Sequence, residues 1–129
     1  MTKTSTAEKG ASLSEAPRKL KPGEYDLSGI IRDRRGKALP DPSDPDSEFS
    51  VAMAVANALD ANLPNDQNAD GITKAKRFHI ASLIHDSAPE YVLALKSDYV
   101  STIKDAVGKA YSPLVVGQIY AVVDPAEKF

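Results

Sequence analysis

The residues best arranged to bind a cation lie in the segment Asp66-Gln67-Asn68-Ala69-Asp70-Gly71. This segment matches the first half of an EF-hand loop, in which positions 1, 3 and 5 supply oxygen ligands and a glycine permits the turn. The second half does not match, because Arg77 stands at position 12, where a bidentate glutamate is required, and Lys74 stands at position 9. We therefore predict a polar loop with Asp70 capping the following helix and no metal site, with calcium binding as the weaker alternative.

Two clusters of basic side chains could neutralise phosphate groups. The first cluster is one helical turn and consists of Lys74, Lys76 and Arg77. The second cluster is a predicted hairpin turn and consists of Arg32, Arg34, Arg35 and Lys37. Such side chains bind nucleic-acid backbones. The chain as a whole is not basic, since 16 Lys and Arg stand against 18 Asp and Glu for a net charge of −2. The acidic segment 40–48 also adjoins the second cluster, so nucleic-acid binding is the second of two hypotheses.

No combination of residues has the spacing of a catalytic or cofactor site. His79 and His85 lie about 240° apart around a helix, so they cannot share a metal ion. The chain has no cysteine, which excludes disulfides, thiolate catalysis and Cys-ligated metals. Nucleophile-elbow, H-E-x-x-H and glycine-rich phosphate-binding motifs are also missing. The sequence therefore predicts a protein that is not an enzyme and has no cofactor.

The 129 residues are enough for one ordinary domain. Residues 1–23 are polar and have too few apolar side chains to offset their chain entropy, so we predict a disordered tail. Residues 24–124 are expected to form a single helical domain with an N-terminal hairpin, followed by a short tail at 125–129. Neither a membrane-spanning run nor the apolar stretch of a secretory signal is found, which predicts residence in the cytoplasm and no membrane partner.

The first part of the predicted domain has the pattern of strands and turns. Residues 24–39 are typical of a short β-hairpin, since Ile30 and Ile31 favour a strand and Gly36 can adopt a positive φ in the turn. Three prolines within residues 40–48 are incompatible with a helix or the interior of a sheet, so we predict an extended acidic connector there. Residues 90–95 favour a further short strand that pairs with the hairpin.

Four helices account for the rest of the predicted fold, which is mainly α. They are expected at 49–61 after an N-cap at Ser47 or Ser50, at about 72–86, at 98–111 after an N-cap at Ser97, and from Pro113 to Asp124. Apolar residues occupy nearly the whole circumference of the second helix, which predicts that it is sandwiched between neighbours. Gly108 and Gly117 each cost stability within a helix, which predicts a close backbone approach between the third and fourth helices, with a local break at either glycine as the alternative.

The last helix is apolar on almost every face, and such a helix must be buried by its own domain or by another chain. The first helix is largely alanine and offers little apolar cover. We therefore expect part of the last helix to contact a second copy or a partner protein, through Val115, Ile119, Tyr120 and Val123.

Four stretches of the chain resemble one group of proteins. They are D-L-x-G-I-I-x-D-x-x-G-K at 26–37, V-A-x-x-V-A-N-A-L at 51–59, K-x-K-R-F at 74–78 and I-K-x-x-x-G-K-A-Y-S-P-L-V-V-G-Q at 103–118. Together they resemble small phage- and prophage-encoded proteins, whose members end in a comparable G-K-A-Y-x-P-L-V-V-G-Q helix. The resemblance covers about residues 25–123, and its last motif is the most specific part. It implies a phage setting and supplies no activity or catalytic residue.

The sequence thus predicts a non-catalytic protein-interaction module, structural or assembly-accessory in a phage, located in the bacterial host cytoplasm or associated with the virion. Its partner would be another protein or a second copy, bound through the last helix and the second helix. The alternative is a small nucleic-acid-associated regulatory protein that uses the two basic clusters. Strong salt dependence of DNA or RNA binding would favour this alternative.

Overall fold

The computed structural model describes residues 20–64 and 70–125. This part of the chain contains four helices and two small antiparallel sheets, which confirms the prediction of a mainly helical fold. In chain order the elements are β1 (Glu24–Asp26), β2 (Pro40–Asp41), β3 (Asp44–Glu48), α1 (Val51–Asp60), α2 (Gly71–Asp86), β4 (Val92–Ala94), α3 (Ser97–Ala110) and α4 (Pro113–Val123).

The first sheet joins two segments that are distant in the chain. Strand β1 pairs antiparallel with β4, so that Tyr25 lies opposite Leu93. The Leu27 N–H extends the pairing by donating to the carbonyl of Tyr91, at 2.8 Å. The further strand predicted at 90–95 is therefore present and pairs with the N-terminal segment.

The second sheet lies where the sequence predicted an extended acidic connector, and the segment is instead a short hairpin of two edge strands. Strands β2 and β3 form an antiparallel hairpin in which Pro40 lies opposite Glu48. Prolines are tolerated because every strand of a two-stranded sheet is an edge strand, and an edge residue without an N–H leaves no ladder bond unmade. The Asp41 carboxylate holds the turn by accepting hydrogen bonds from the backbone and hydroxyl of Ser43, at 2.9 and 2.8 Å.

The hairpin predicted at 24–39 is present only in part. Arg32 and Ala38 form a single bridge, and the turn between them closes through a hydrogen bond from the Asp33 N–H to the Lys37 carbonyl, at 2.8 Å. Gly36 has a φ of 87°, as the turn requires. The strand character of Ile31 is used in pairing with residues on both sides, since its N–H donates to Phe49 and its carbonyl accepts from Leu39.

Helix α1 is the centre of the core. It begins at the predicted N-cap Ser50, whose hydroxyl accepts from the N–H of Met53 at 3.1 Å. The helices α2, α3 and α4 all contact it. Its alanines allow this close packing on several sides, and its buried residues are Val51, Ala52, Ala54, Val55, Ala56, Ala58 and Leu59.

Helix α2 begins after Asp70, whose carboxylate accepts from the Thr73 N–H at 2.7 Å. A side-chain hydrogen bond with Thr73, and then this backbone bond, hold the pKa of Asp70 below its usual value. The helix buries one stripe, formed by Arg77, Ile80, Ala81 and Ile84. The prediction that α2 is sandwiched is wrong, because α1 and α3 cover that stripe and leave the opposite face open.

Helices α3 and α4 form an antiparallel pair joined by the short link at Tyr111 and Ser112. The N-cap of α3 is Lys96, without a side-chain hydrogen bond, and not the predicted Ser97. Pro113 is at the first turn of α4, as predicted. The close backbone approach expected at Gly108 and Gly117 is not found, because a Cβ on Gly108 would lie 3.4 Å from the Tyr120 hydroxyl, which is a side-chain contact, and a Cβ on Gly117 would meet nothing within 4 Å.

Candidate protein-interaction site

The C-terminal motif at 108–118 holds the fold together. The Tyr111 hydroxyl donates to the carbonyl of Ala54 in α1, at 2.6 Å, and its ring packs edge-on against Phe49 with the ring centroids 6.2 Å apart. Burial, reinforced by the nearby Asp41 carboxylate, raises the pKa of Tyr111 to about 12. The Tyr111 hydroxyl therefore stays protonated at physiological pH and keeps its hydrogen bond to the Ala54 carbonyl of α1.

Gln118 attaches the turn at 30–38 to α4. Its Oε1 accepts from the Arg32 N–H at 2.8 Å, and its Nε2 donates to the Arg32 carbonyl at 2.7 Å. The amide thus pairs with a backbone residue as a neighbouring strand would. The two most specific polar residues of the motif, Tyr111 and Gln118, have structural partners within the chain.

The apolar residues predicted as a contact surface on α4 are mainly core residues. Val115, Ile119 and Val123 are all buried within the chain. Tyr120 is half-buried, donates its hydroxyl to the Lys104 carbonyl at 2.9 Å and lies under the Lys104 ammonium. Lys104 also pairs with Asp124 at the end of α4. Helix α3, with smaller contributions from α1 and β1, therefore supplies the cover that the sequence did not lead us to expect.

The basic residues predicted on α2 have three different environments. Lys74 is exposed, and Lys76 forms an ion pair with Asp98 at the start of α3, with Nζ and Oδ2 2.9 Å apart. Arg77 is only 8% exposed, contrary to its prediction as a surface residue. Its position in the buried stripe of α2 places its long side chain against α1. Of the three basic side chains predicted to form a positive surface, only Lys74 is exposed and outside the ion pairs of the described residues.

The second basic cluster is at the other end of α1. Arg32 donates to the Gly36 carbonyl at 2.9 Å, while Arg34, Arg35 and Lys37 are exposed. Ile30, two residues before Arg32, forms a bridge with Ser50, just before the start of α1. Lys74 and Arg77 of the first cluster line a pocket with residues at the C-terminal end of α1. A helix of ten residues is about 15 Å long, so the two clusters do not form one continuous basic patch.

The open face of α2 carries two large apolar side chains that the sequence did not predict to be exposed. Ile72 is 77% exposed and Phe78 is 70% exposed. Phe78 also forms one wall of a pocket of about 260 Å³ at the end of α1, lined in addition by Leu59, Asp60, Ala61, Asn62, Lys74 and Arg77. The useful signal was the single stripe of Arg77, Ile80, Ala81 and Ile84, because positions 72 and 78 lie outside it.

The two histidines are on this open side without forming a metal site. The His79 ring packs edge-on against Tyr99, with the ring centroids 5.8 Å apart, and the Lys96 ammonium lies 4.9 Å from the Tyr99 centroid. His85 is exposed. Within residues 20–64 and 70–125, no three His, Asp or Glu side chains are grouped as metal ligands. The calcium-like segment lies outside the described residues except for Asp70 and Gly71.

No protein-family model, curated protein or solved structure matches this chain. In the described part of the chain, no helix has the length and apolar character needed to cross a membrane. The open face of α2, opposite the buried stripe of that helix, is formed by Ile72, Lys74, Ala75, Phe78, His79, Ser82 and Asp86 and is called the α2 face below.

Proposed function

We propose that this protein is a non-catalytic protein-interaction module that binds through the α2 face. The observation that carries the proposal is the exposure of Ile72 and Phe78 on one helix. An exposed aromatic side chain beside a pocket is typical of an interface anchor, and Ile72, six residues earlier, lies at the opposite edge of the same face.

The α2 face is held rigidly enough to bind without large rearrangement. On its reverse side, Ile80 and Ile84 are completely buried. The Lys76–Asp98 ion pair links the same helix to α3, and the Asp70 cap fixes its first turn. A surface ordered before binding loses less conformational entropy in the complex, which favours affinity.

The phage part of the proposal is supported by the resemblance of the motif at 103–118. We propose a structural or assembly-accessory role, in the host cytoplasm or on the virion. Tyr111 and Gln118 make intramolecular contacts, so the motif supports the fold of this chain, and we assign the choice of partner to another surface.

A nucleic-acid-associated regulatory role is the second candidate, favoured by the exposed Arg34 and Arg35. It is less well supported, because α1 separates the two basic clusters and the residues beside Arg32 and Lys37 include Asp46 and Glu48 of strand β3. A protein that follows a nucleic-acid backbone needs basic side chains along a continuous path.

Selection of displayed 12-residue peptides on the immobilised full chain tests the proposal. We expect selected peptides to lose at least tenfold in affinity with Phe78→Ser or Ile72→Ser, because each change removes an apolar contact. The matched control is the double variant Arg34→Ser/Arg35→Ser, which should bind the peptides as the wild type does. Peptides that bind Phe78→Ser and wild type equally would contradict the proposal. Salt-sensitive binding of a 20-base-pair DNA duplex that is lost only in the arginine variant would favour the second candidate.

A further inference from the structure

We propose that the partner of the α2 face is the α2 face of a second copy, bound antiparallel around a two-fold axis that passes between Phe78 and Ser82. This inference rests on the proposed function and names its partner. It requires no rearrangement of the core, because the residues involved lie opposite the buried stripe of α2.

Opposite charges stand at the two ends of one ridge of side chains on the helix. Lys74, Phe78, Ser82 and Asp86 are spaced four residues apart and form this ridge, which turns by about 40° at each step around α2. Lys74 and Asp86 are exposed at its two ends, and neither forms an ion pair with another described residue. An antiparallel copy places Lys74 opposite the partner's Asp86, and by symmetry the same pair forms twice.

Large and small side chains also alternate along this ridge. The antiparallel arrangement that pairs Lys74 with Asp86 also places Phe78 opposite Ser82, so a large ring meets a small side chain twice. Ser82 donates its hydroxyl to the carbonyl of Phe78 within the same helix, at 3.0 Å, which reduces the cost of burying that hydroxyl. Ala75 adds a second small position next to the ridge. Charge and shape thus specify the same register.

Other ways of pairing two copies are less favourable. A parallel arrangement of α2 places Lys74 beside Lys74 and Asp86 beside Asp86, which is repulsive. Strand β3 exposes an edge, but all five of its residues are exposed and three of them, Asp44, Asp46 and Glu48, are acidic, so edge-to-edge pairing would bring like charges together. Helix α4 has three of its apolar side chains, Val115, Ile119 and Val123, in the core.

The contact is small, and the dimer is therefore weak. A helix of 16 residues is about 24 Å long, and pairing one helix per copy falls in the class of small, transient interfaces. We expect a monomer–dimer equilibrium that changes with protein concentration and not a permanent dimer.

Sedimentation of the full chain over a wide range of concentration measures this equilibrium. We expect the wild type to dimerise, and Lys74→Glu or Asp86→Lys alone to weaken dimerisation about tenfold or more, because each creates two like-charge contacts. The double variant Lys74→Glu/Asp86→Lys should return to within about threefold of wild type. The matched control is the double reversal Asp105→Lys/Lys109→Glu, which exchanges an ion pair on α3 and should leave dimerisation unchanged. Circular dichroism confirms that each variant is folded.

Disulfide formation tests the orientation, since the chain has no cysteine of its own. The antiparallel arrangement places Ala75 opposite His85 of a second copy, so a mixture of Ala75→Cys and His85→Cys chains should form the mixed disulfide in preference to either homodimer. Preferential Ala75→Cys homodimers would overturn the antiparallel arrangement. A wild type that stays monomeric at every concentration, or a double charge reversal that restores nothing, would overturn the inference. The proposed function survives those results if selected peptides still require Phe78, and fails with it if they do not.

Discussion

Replacing Gln118 by alanine should detach the turn at 30–38 from α4. The substitution removes the acceptor for the Arg32 N–H and the donor to the Arg32 carbonyl, at 2.8 and 2.7 Å. It also removes the local bond from Nε2 to the carbonyl of Leu114, at 3.1 Å. The two bonds to Arg32 connect residues 86 positions apart in the chain, so their loss affects tertiary structure and not only α4.

The magnitude follows from these bonds and their surroundings. A hydrogen bond within a protein contributes about 0.5–1.5 kcal/mol to the free energy of unfolding, which gives about 1–3 kcal/mol for the pair. Arg32 is exposed, so water replaces part of what is lost, and we expect about 1–1.5 kcal/mol. For a domain of this size the melting temperature should fall by about 4–6 °C.

Urea unfolding and amide hydrogen exchange together test the reasoning. The Arg32 amide should exchange faster in Gln118→Ala, while amides of α2 are unaffected below the global unfolding limit. Gln118→Glu provides a finer test, because an ionised carboxylate accepts from the Arg32 N–H but cannot donate to its carbonyl, and protonation near pH 4.3 returns a donor. Its deficit relative to wild type should therefore shrink as the pH falls. The exposed Ser101→Ala is the control.

The account of Gln118 is refuted if the alanine variant loses no more than the ±0.5 kcal/mol of ordinary surface substitutions and the exchange of the Arg32 amide is unchanged. Unequal outcomes are also informative. Faster exchange without a loss of stability would mean that the turn is held but contributes nothing to the global free energy of unfolding.

Two further predictions concern the same end of the fold. Tyr111→Phe removes the bond to Ala54 and should cost about 1 kcal/mol at neutral pH. Because the pKa of Tyr111 is raised from 10.0 to about 12, its stabilisation is complete below pH 10 and is lost as the pH rises through 12. The difference between the urea midpoints of the wild type and Tyr111→Phe should therefore narrow as the pH rises from about 10 to about 12. A constant difference would contradict the raised pKa of Tyr111. Gly117→Ala should stabilise the protein by about 1 kcal/mol, since alanine favours the helix and its Cβ meets nothing. Gly108→Ala should gain less, because its Cβ lies 3.4 Å from the Tyr120 hydroxyl, and equal gains in thermal unfolding would count against that contact.

The helices could be predicted because their signals are local. Ser50 and Asp70 cap the helices that they precede, and Pro113 begins α4. Each signal depends only on a few residues that are neighbours in the sequence, so it can be recognised without knowing the tertiary structure. The exception is α3, where Ser97 had the chemistry of a cap but Lys96 occupies that position without making a side-chain bond.

The strands and the candidate site depended on distant partners. The pairing of residues 24–26 with 92–94 agrees with the strand predicted at 90–95, whereas the prolines of 40–48 concealed a hairpin that needs no interior strand. The apolar residues of α2 gave the wrong prediction because their spread around the helix does not show which of them neighbouring elements cover. Arg77 is buried and Phe78 is exposed, the reverse of what side-chain polarity alone predicts.

The burial of α4 determines where self-association can occur. Burying a side chain such as Ile119 or Val123 contributes about 1.5–3 kcal/mol to the fold, and a dimer that used these residues would have to withdraw them from the core of each copy. Native proteins are stable by only about 5–15 kcal/mol, so withdrawing these side chains from the core would unfold much of each copy. A contact through Phe78 withdraws nothing, because the ring is already exposed. Apolar area that the fold leaves on the surface, and not the apolar content of the sequence, therefore decides which helix is available to a partner.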